Sequence, residues 1–373
     1  MTSTVLAGGP LSRSVAAATL LLLAACGNSS GDLRTWVFNG EGNRLNVYEP
    51  ATGQSQRVID NRNNDPAGWD INAQICFAPD GSRHFIAGED TGQPNPPQGW
   101  GFFQLDGDAI GELSARRLGK LTPTYHGSLD NAENYGCGFL SDGRLVTTDV
   151  GNQAAGDGNG QLIIWFPPFD RMEVPYCKLD IAIGTAGAIW VEDDDRLLLT
   201  SARGRAGVWS YEPPFPTGPD AAGGCGLRDS TGAPLTDALQ RSLFIPADVH
   251  VPTPNAVVAD GTGGYLVSSV LNGVIARYDS RGAFVERVLE PPAGETLGAT
   301  PFSTGTPLGI GRDSAGNVYY ADIGIVLDSG GIGPGRNTGS VRMLPLSDGE
   351  FGAPVKLGTG LAFPDGIGVL ELR

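Results

Sequence analysis

Histidine and lysine are scarce in this 373-residue chain, and each shortage removes a class of function. Only three His are present and none stands in an H-E-x-x-H pattern, which excludes a helix-borne zinc protease site. Asp and Glu number 41 against 25 Lys and Arg, for a net charge of −16. A surface of that sign repels phosphate backbones, so nucleic acid is not an expected partner. No long apolar run follows residue 25, and a bilayer span needs about 20 such residues, so no later segment is expected to enter a membrane. Helix signals are thin; Thr236 to Ser242 has room for one short turn of helix. Glycine (56) and proline (27) are abundant instead, which favours many short strands joined by turns.

The N-terminus reads as a targeting segment. Arg13 precedes an apolar run, Val15 to Ala25, that is short for a span and suits a secretory signal peptide over residues 1–25. The run ends in Leu23-Ala24-Ala25-Cys26-Gly27, which resembles the lipobox of bacterial lipoproteins. That resemblance implies cleavage before Cys26, a diacylglyceryl group on its thiol and an acylated amine, with residues 26–33 as lipidated cysteine and tether. More than one acyl chain makes such an anchor stable. The expected location is the bacterial cell envelope, on the periplasmic side of the outer membrane or the cell surface, since Gly27 rather than Asp follows the cysteine. Gly27-Asn28-Ser29-Ser30-Gly31 also spells G-x-S-x-G, but a nucleophile elbow needs a strand before it and a helix after it, and a lipid tether supplies neither.

Residues 34–373 repeat. A short apolar strand, a turn with Asp or Gly, and a second apolar strand ending in a polar loop begin at Ile75, Cys137, Ala188, Val257 and Ile310. Third strands follow, such as GQLIIWFPP and GVIARYDSRG, and fourth strands such as FVERVLE from Phe284 and APVKLG from Ala353. Four antiparallel strands per unit make the blade of a β-propeller. The C-terminal FPDGIGVLELR is a lone first strand, and the N-terminal TWVFNGEGNRLNVYEPATGQSQRVID carries only the remaining strands. Joined, they complete a sixth blade and leave no open edge on the ring. The predicted fold is therefore all-β, a six-bladed propeller closed by both termini, and a monomer is expected.

Four Cys remain after Cys26, and an even count in an exported chain suggests up to two disulfides. Cys177 ends the outer strand of one unit and Cys225 lies in the Pro213–Gly226 insertion of the next, so this is the expected pair. Cys76 and Cys137 lie on innermost strands of adjacent units and pair if their Cα atoms come within about 7 Å.

Strand alternation puts the Asp-Gly turns on one face of the ring. On the other face, loops entering innermost strands and leaving second strands converge on the axis. They carry Asp70, Asn72, Asp90, His126, Glu133, Asn134, Asp149, Asn152, His250, Asn255, Asp322 and Asp365. Oxygen donors converging on an axis suit a hard divalent cation such as Ca²⁺. The loop Asp149 to Gly160 is rich in Asp and Asn but lacks the oxygen spacing and terminal Glu of an EF-hand. Asp328 to Gly339 is Gly-rich yet leads into a strand, so it is expected to be a surface loop. His84 sits in a strand beside Phe85 and is expected to be structural.

Four motifs stand out: Thr306-Pro307-Leu308-Gly309-Ile310 leading to Asp313, Tyr319-Tyr320-Ala321-Asp322, Thr253-Pro254-Asn255 with Asp260, and Phe363-Pro364-Asp365-Gly366. In these the chain resembles the gluconolactonase and senescence-marker-protein superfamily, with NHL-repeat and strictosidine-synthase-like relatives. The resemblance implies one divalent metal in the channel, held by a Glu, Asn residues and an Asp at the starts of innermost strands. Asp365 matches the Asp of the P-D-G element, Asn255 one Asn ligand and Asn134 another. The Glu of that family, usually in an E-G-P element, has no clear match; Glu133 and Asp70 are the substitutes. The implied chemistry is hydrolysis of a lactone or ester, with Asp365 as base. His126 and His250 precede innermost strands and are placed to act in the channel, as in paraoxonase-like lactonases. The rival expectation is a non-catalytic scaffold that binds a protein or carbohydrate partner at the envelope, because fold alone does not fix function.

Overall fold

The computed structural model describes residues 33–42, 44–60, 71, 73–89, 99–121, 134–150, 160–180, 183–219, 225 and 239–372. The signal peptide, Cys26 and nearly all of the tether lie outside the described residues, as do Asp70, Asn72, Asp90, His126, Glu133 and Asn152.

The unit Arg34–Leu372 is a ring of six four-stranded antiparallel blades. Blade one uses β1 (Arg34–Glu41), β2 (Arg44–Glu49) and β3 (Gln54–Asp60). Blade two follows with β4 (Cys76–Phe77), β5 (His84–Glu89), β6 (Gly99–Asp106) and β7 (Ser114–Leu121). Blade three has β8 (Asn134–Phe139), β9 (Leu145–Asp149), β10 (Gln161–Trp165) and β11 (Tyr176–Asp180). Blade four has β12 (Gly184–Val191), β13 (Leu197–Gly204), β14 (Gly207–Tyr211) and β15 (Arg241–Pro246). Blade five has β16 (Pro254–Ala259), β17 (Tyr265–Ser269), β18 (Val274–Tyr278) and β19 (Phe284–Leu289). Blade six starts with β20 (Pro307–Arg312) and β21 (Val318–Asp322), then sends out a hairpin, β22 (Ile325–Asp328) with β23 (Gly331–Pro334). It resumes at β24 (Gly339–Leu344), makes a small hairpin of β25 (Leu346–Ser347) and β26 (Glu350–Phe351), and ends in β27 (Val355–Leu361). Finally β28 (Pro364–Leu372) pairs antiparallel with β1, from Arg34↔Leu372 to Glu41↔Pro364. The first blade is thus stitched from both ends of the ring, as the sequence predicts.

Apolar side chains meet between blades rather than inside them. Leu162 and Ile164 of blade three pack with Leu197 and Leu199 of blade four. Leu198 and Val208 of blade four pack with Val257 and Val267 of blade five. Across the seam, Val37 and Ile367 of blade one meet Tyr319 and Val341 of blade six. Each such aliphatic side chain contributes about 2 kcal/mol by leaving water. Trp36, Trp100 and Trp165 are fully buried, and the Trp165 indole nitrogen donates to Thr147 Oγ1 at 2.9 Å, so its polar end is satisfied.

Both disulfides form. Cys177–Cys225 has a Cα separation of 5.3 Å and ties the blade-four insertion to the outer edge of blade three. Cys76–Cys137, at 6.0 Å, joins the innermost strands of blades two and three. Two local expectations differ. Arg241 and Ser242 are extended, not helical, because they open β15 and pair with Tyr211 and Ser210 of β14. The Asp328–Gly339 region is not a plain loop: β22 and β23 make a hairpin whose turn is held by Asp328 Oδ1 accepting the Gly330 N–H at 2.7 Å. Among the described residues there is no helix.

Candidate functional site

Five of the six innermost strands slip in register near their channel ends; β4, with its two pairs Cys76↔Ile86 and Phe77↔Phe85, does not. The slip lies between Asn134 and Cys137 in β8, Pro254 and Ala256 in β16, and Pro307 and Ile310 in β20. β12 slips between Gly184 and Ile189, and β1 does so opposite β28 between Asn39 and Glu41. Bulges of this kind re-aim side chains and end strand pairing. Second-strand hydroxyls then bridge to the next blade. Thr148 Oγ1 donates to Gly187 O at 2.6 Å, Thr200 Oγ1 to Asn255 O at 2.7 Å and Ser268 Oγ to Leu308 O at 2.6 Å. The strands approach so closely that side chains are excluded at some positions. A Cβ on Gly366 would lie 1.9 Å from Ala73 O, and one on Gly187 2.2 Å from Thr200 Oγ1.

Five innermost strands, β8, β12, β16, β20 and β28, open onto an axial cavity of about 180 Å³. Its described walls are mostly apolar and include Val270, Leu308 and Ile323. They hold one anionic side chain, Asp365, and one cationic side chain, Arg203. Asn255 and Thr253 add polar groups. Asp365 is only 5 % exposed and is the second residue of β28. Phe363, just before it, has φ +53°, a left-handed conformation that a bulky residue rarely adopts. Backbone strain of this type collects at functional sites where neighbours enforce it. One enforcing contact is Glu41, whose buried carboxylate accepts the Ala362 N–H at 2.8 Å while holding Arg44 at 3.1 Å.

Asn255 and Asp365 both line this cavity. Asn255 Oδ1 also accepts the Val270 N–H at 3.1 Å, which fixes the loop leaving β17. Asn134 is buried at the start of β8, beside the wall residue Tyr135, and its amide nitrogen donates to Gly99 O. His250 is placed elsewhere: its ring stacks on Phe284 of the outermost strand β19, with centroids 3.6 Å apart. His126 and Glu133 lie outside the described residues.

The other motif carboxylates hold turns. Asp313 accepts from the Asn317 N–H and the Tyr319 hydroxyl, both at 2.8 Å. Asp322 is fully buried, takes Arg342 at 2.7 Å and accepts the Thr306 N–H and Ser340 hydroxyl. For Asp260, burial pushes the carboxyl up, but hydrogen bonds from Thr262 and Gly264 together outweigh it and hold the group below the usual range. Arg203 and Glu41 carry no sequence signal of function. The first is reached by reading outward from the end of a second strand, while the second acts only through the chain that folds over it.

The donor chemistry of the wall fits a hard cation in kind, since Asp365 and Asn255 offer oxygen. In number, the described wall offers one carboxylate and one amide besides hydroxyls, and among the described residues no three His, Cys, Asp or Glu cluster to hold a metal.

No family profile and no curated protein matches the sequence. Solved structures do. A protein of unknown function from Bacteroides caccae matches with a TM-score of 0.54 at 12% identity, over 90% of this chain and 98% of that one. A chain of a nidogen/laminin complex matches with a TM-score of 0.53 at 10% identity, over 90% and 98%. A gluconolactonase from Xanthomonas campestris matches more loosely, with a TM-score of 0.45 at 15% identity, over 78% and 86%. At such identities the first two likenesses speak for the fold alone, and the third carries nothing further.

Proposed function

We propose that the chain is an exported, lipid-anchored propeller that hydrolyses a small lactone or ester in its axial cavity. One observation carries the catalytic part: among the described residues, a single carboxylate and a single guanidinium set into a mostly apolar pocket at the ends of five innermost strands. Pockets of this make-up orient small molecules through few polar groups. Asp365 takes a proton from water as the water oxygen bonds to the substrate carbonyl carbon. Arg203 faces the negative charge that develops on the carbonyl oxygen. The carbon–oxygen bond to the leaving group then breaks, and Asp365 returns the proton to the departing oxygen, giving a hydroxy acid from a lactone. Val270, Leu308 and Ile323 shelter the apolar part of the substrate. Asp365 and Asn255 would also hold a divalent cation, calcium by its preference for oxygen, which when bound would polarise the carbonyl.

Export draws support from the two disulfides, which persist in oxidising compartments, and lipidation rests on the lipobox-like run ending at Cys26. The direct test of the catalytic reading is turnover of a panel of γ- and δ-lactones and short esters by the full chain, with calcium and with chelator. Asp365→Asn is expected to lower kcat at least a hundredfold with the fold intact, and Arg203→Gln at least tenfold. Turnover unaffected by either change would remove the proposal.

A second reading is supported by the β22–β23 hairpin, beside the cavity wall at Ile325. Its cross-strand pair Leu327 and Ile332 is exposed at 46% and 61%, which suits a protein partner in a non-catalytic scaffold. Leu327→Ser with Ile332→Ser separates the readings: loss of envelope-partner retention with no lactone turnover in the parent chain selects the scaffold.

A further inference from the structure

The face that carries the Asp-Gly turns holds a second cavity, away from the axis. It lies between blades two and three and has a volume of about 640 Å³, within the ~300–1,000 Å³ range of small-molecule sites. Four rings run in a row along it. His84 lies 5.1 Å from Phe102, Phe102 lies 5.6 Å from Phe169, and Phe169 lies 6.1 Å from Phe139. Phe169 belongs to the loop between β10 and β11 and reaches across to blade two. Gly119 of β7 permits that approach, because a Cβ there would lie 2.2 Å from Phe169 O.

The rim of this cavity is acidic. Asp80, Asp142 and Asp170 line it, and no Lys or Arg does so among the described residues. Two arginines stand nearby but are engaged. Arg144 Nε meets both Asp142 oxygens, at 2.9 and 2.7 Å, which neutralises that carboxylate. Arg171 donates to the Pro168 and Pro167 carbonyls at 3.0 and 2.9 Å. Asp80 and Asp170 remain as exposed carboxylates at the mouth. Hydrogen bonds from Ser82 hold the Asp80 carboxyl below its usual range, so it is charged at neutral pH.

We propose that this inter-blade cavity binds a small organic cation, an amine with an apolar or aromatic body. The body lies along the row Phe102, Phe169 and Phe139, and the ammonium meets Asp80 and Asp170 at the mouth. The aromatic row gives apolar area and ring faces that attract cations, and the unneutralised carboxylates select the sign of the ligand. An anion of the same shape would meet two like charges. The site is separate from the axial cavity and does not depend on hydrolysis there.

The test is calorimetric titration of the full chain with three probes that share a phenethyl body and differ in charge: phenethylamine, 2-phenylethanol and 3-phenylpropionate. The amine is expected to bind at least tenfold more tightly than the carboxylate, and more weakly in high salt. Asp80→Asn with Asp170→Asn changes only exposed positions and is expected to leave the fold intact, with thermal unfolding lowered slightly by the weaker bond from Ser82 to Asp80. It should bring the amine to the affinity of the alcohol while leaving the alcohol unchanged. Phe139→Ala is expected to weaken amine and alcohol alike by at least fivefold. Equal affinity for all three probes, no amine binding at millimolar concentration, or unchanged amine affinity in the double Asn variant would each overturn the proposal.

Discussion

At the scale of single residues, the molecule is held by short side chains that reach the neighbouring blade. Thr148, Thr200 and Ser268 occupy like positions on three successive second strands, and each donates to a carbonyl of the next innermost strand. Thr200 is the informative member, because its acceptor is the carbonyl of Asn255 on the cavity wall. Thr200→Val keeps the shape and removes the donor, leaving that carbonyl unpaired. The expected cost is about 1–3 kcal/mol in urea unfolding, with Thr200→Ser restoring most of it. The position of Asp365 and Asn255 beside the axial cavity was legible because the F-P-D-G and T-P-N motifs mark where inner strands begin. Arg203 was not legible: one arginine at a strand end looks like a solvated charge until the ring brings it to the axis. Glu41 was hidden for a similar reason, since its acceptor role depends on Ala362 lying across the seam.

At the scale of elements, the strands were readable from alternating apolar residues and Asp-Gly turns, whose spacing does not depend on distant contacts. The Cys177–Cys225 link was readable too, since an outer strand and the next insertion must be neighbours in a ring. The register slips were not. They arise where one backbone crowds the next, and a single strand does not encode its neighbour. The β22–β23 hairpin escaped notice because its Gly-rich sequence carries little β-propensity, and its apolar tip faces outward. The cross-links have a calculable weight. Cys177 and Cys225 are 48 residues apart, for which chain-entropy arguments give about 4 kcal/mol. Cys177→Ser with Cys225→Ser is therefore expected to lower unfolding stability by about that amount under oxidising conditions. A thiol reductant should have no added effect at that site.

At the scale of the whole molecule, the charge balance sets the working range. Asp80, Asp142 and Asp260 have carboxyls held below their usual range in the fold. For such groups the unfolded chain binds protons first, so their stabilisation is present above the unfolded value near 3.8 and is lost as pH falls through the lower folded values. Tyr265 works at the other end. Burial, then its bond to Glu192, pushes its phenol up to about 12, so its contribution is present below pH 10 and is lost as pH rises toward that value. Thermal unfolding is therefore expected to show a plateau near neutrality, falling below about pH 4 and above about pH 10. Asp260→Asn should flatten the acid limb. A curve with no acid limb would show that these carboxylates do not stabilise the fold.

The seam between β28 and β1 has a temporal consequence. Asn39 donates to Gly366 O across 327 positions of sequence. While the polypeptide emerges in order, whether from a ribosome or through a translocation pore, β1 waits with its inner edge bare until β28 arrives. Every truncated product ending before Pro364 would keep that edge bare, whereas in the finished ring β28 covers it along the length of β1.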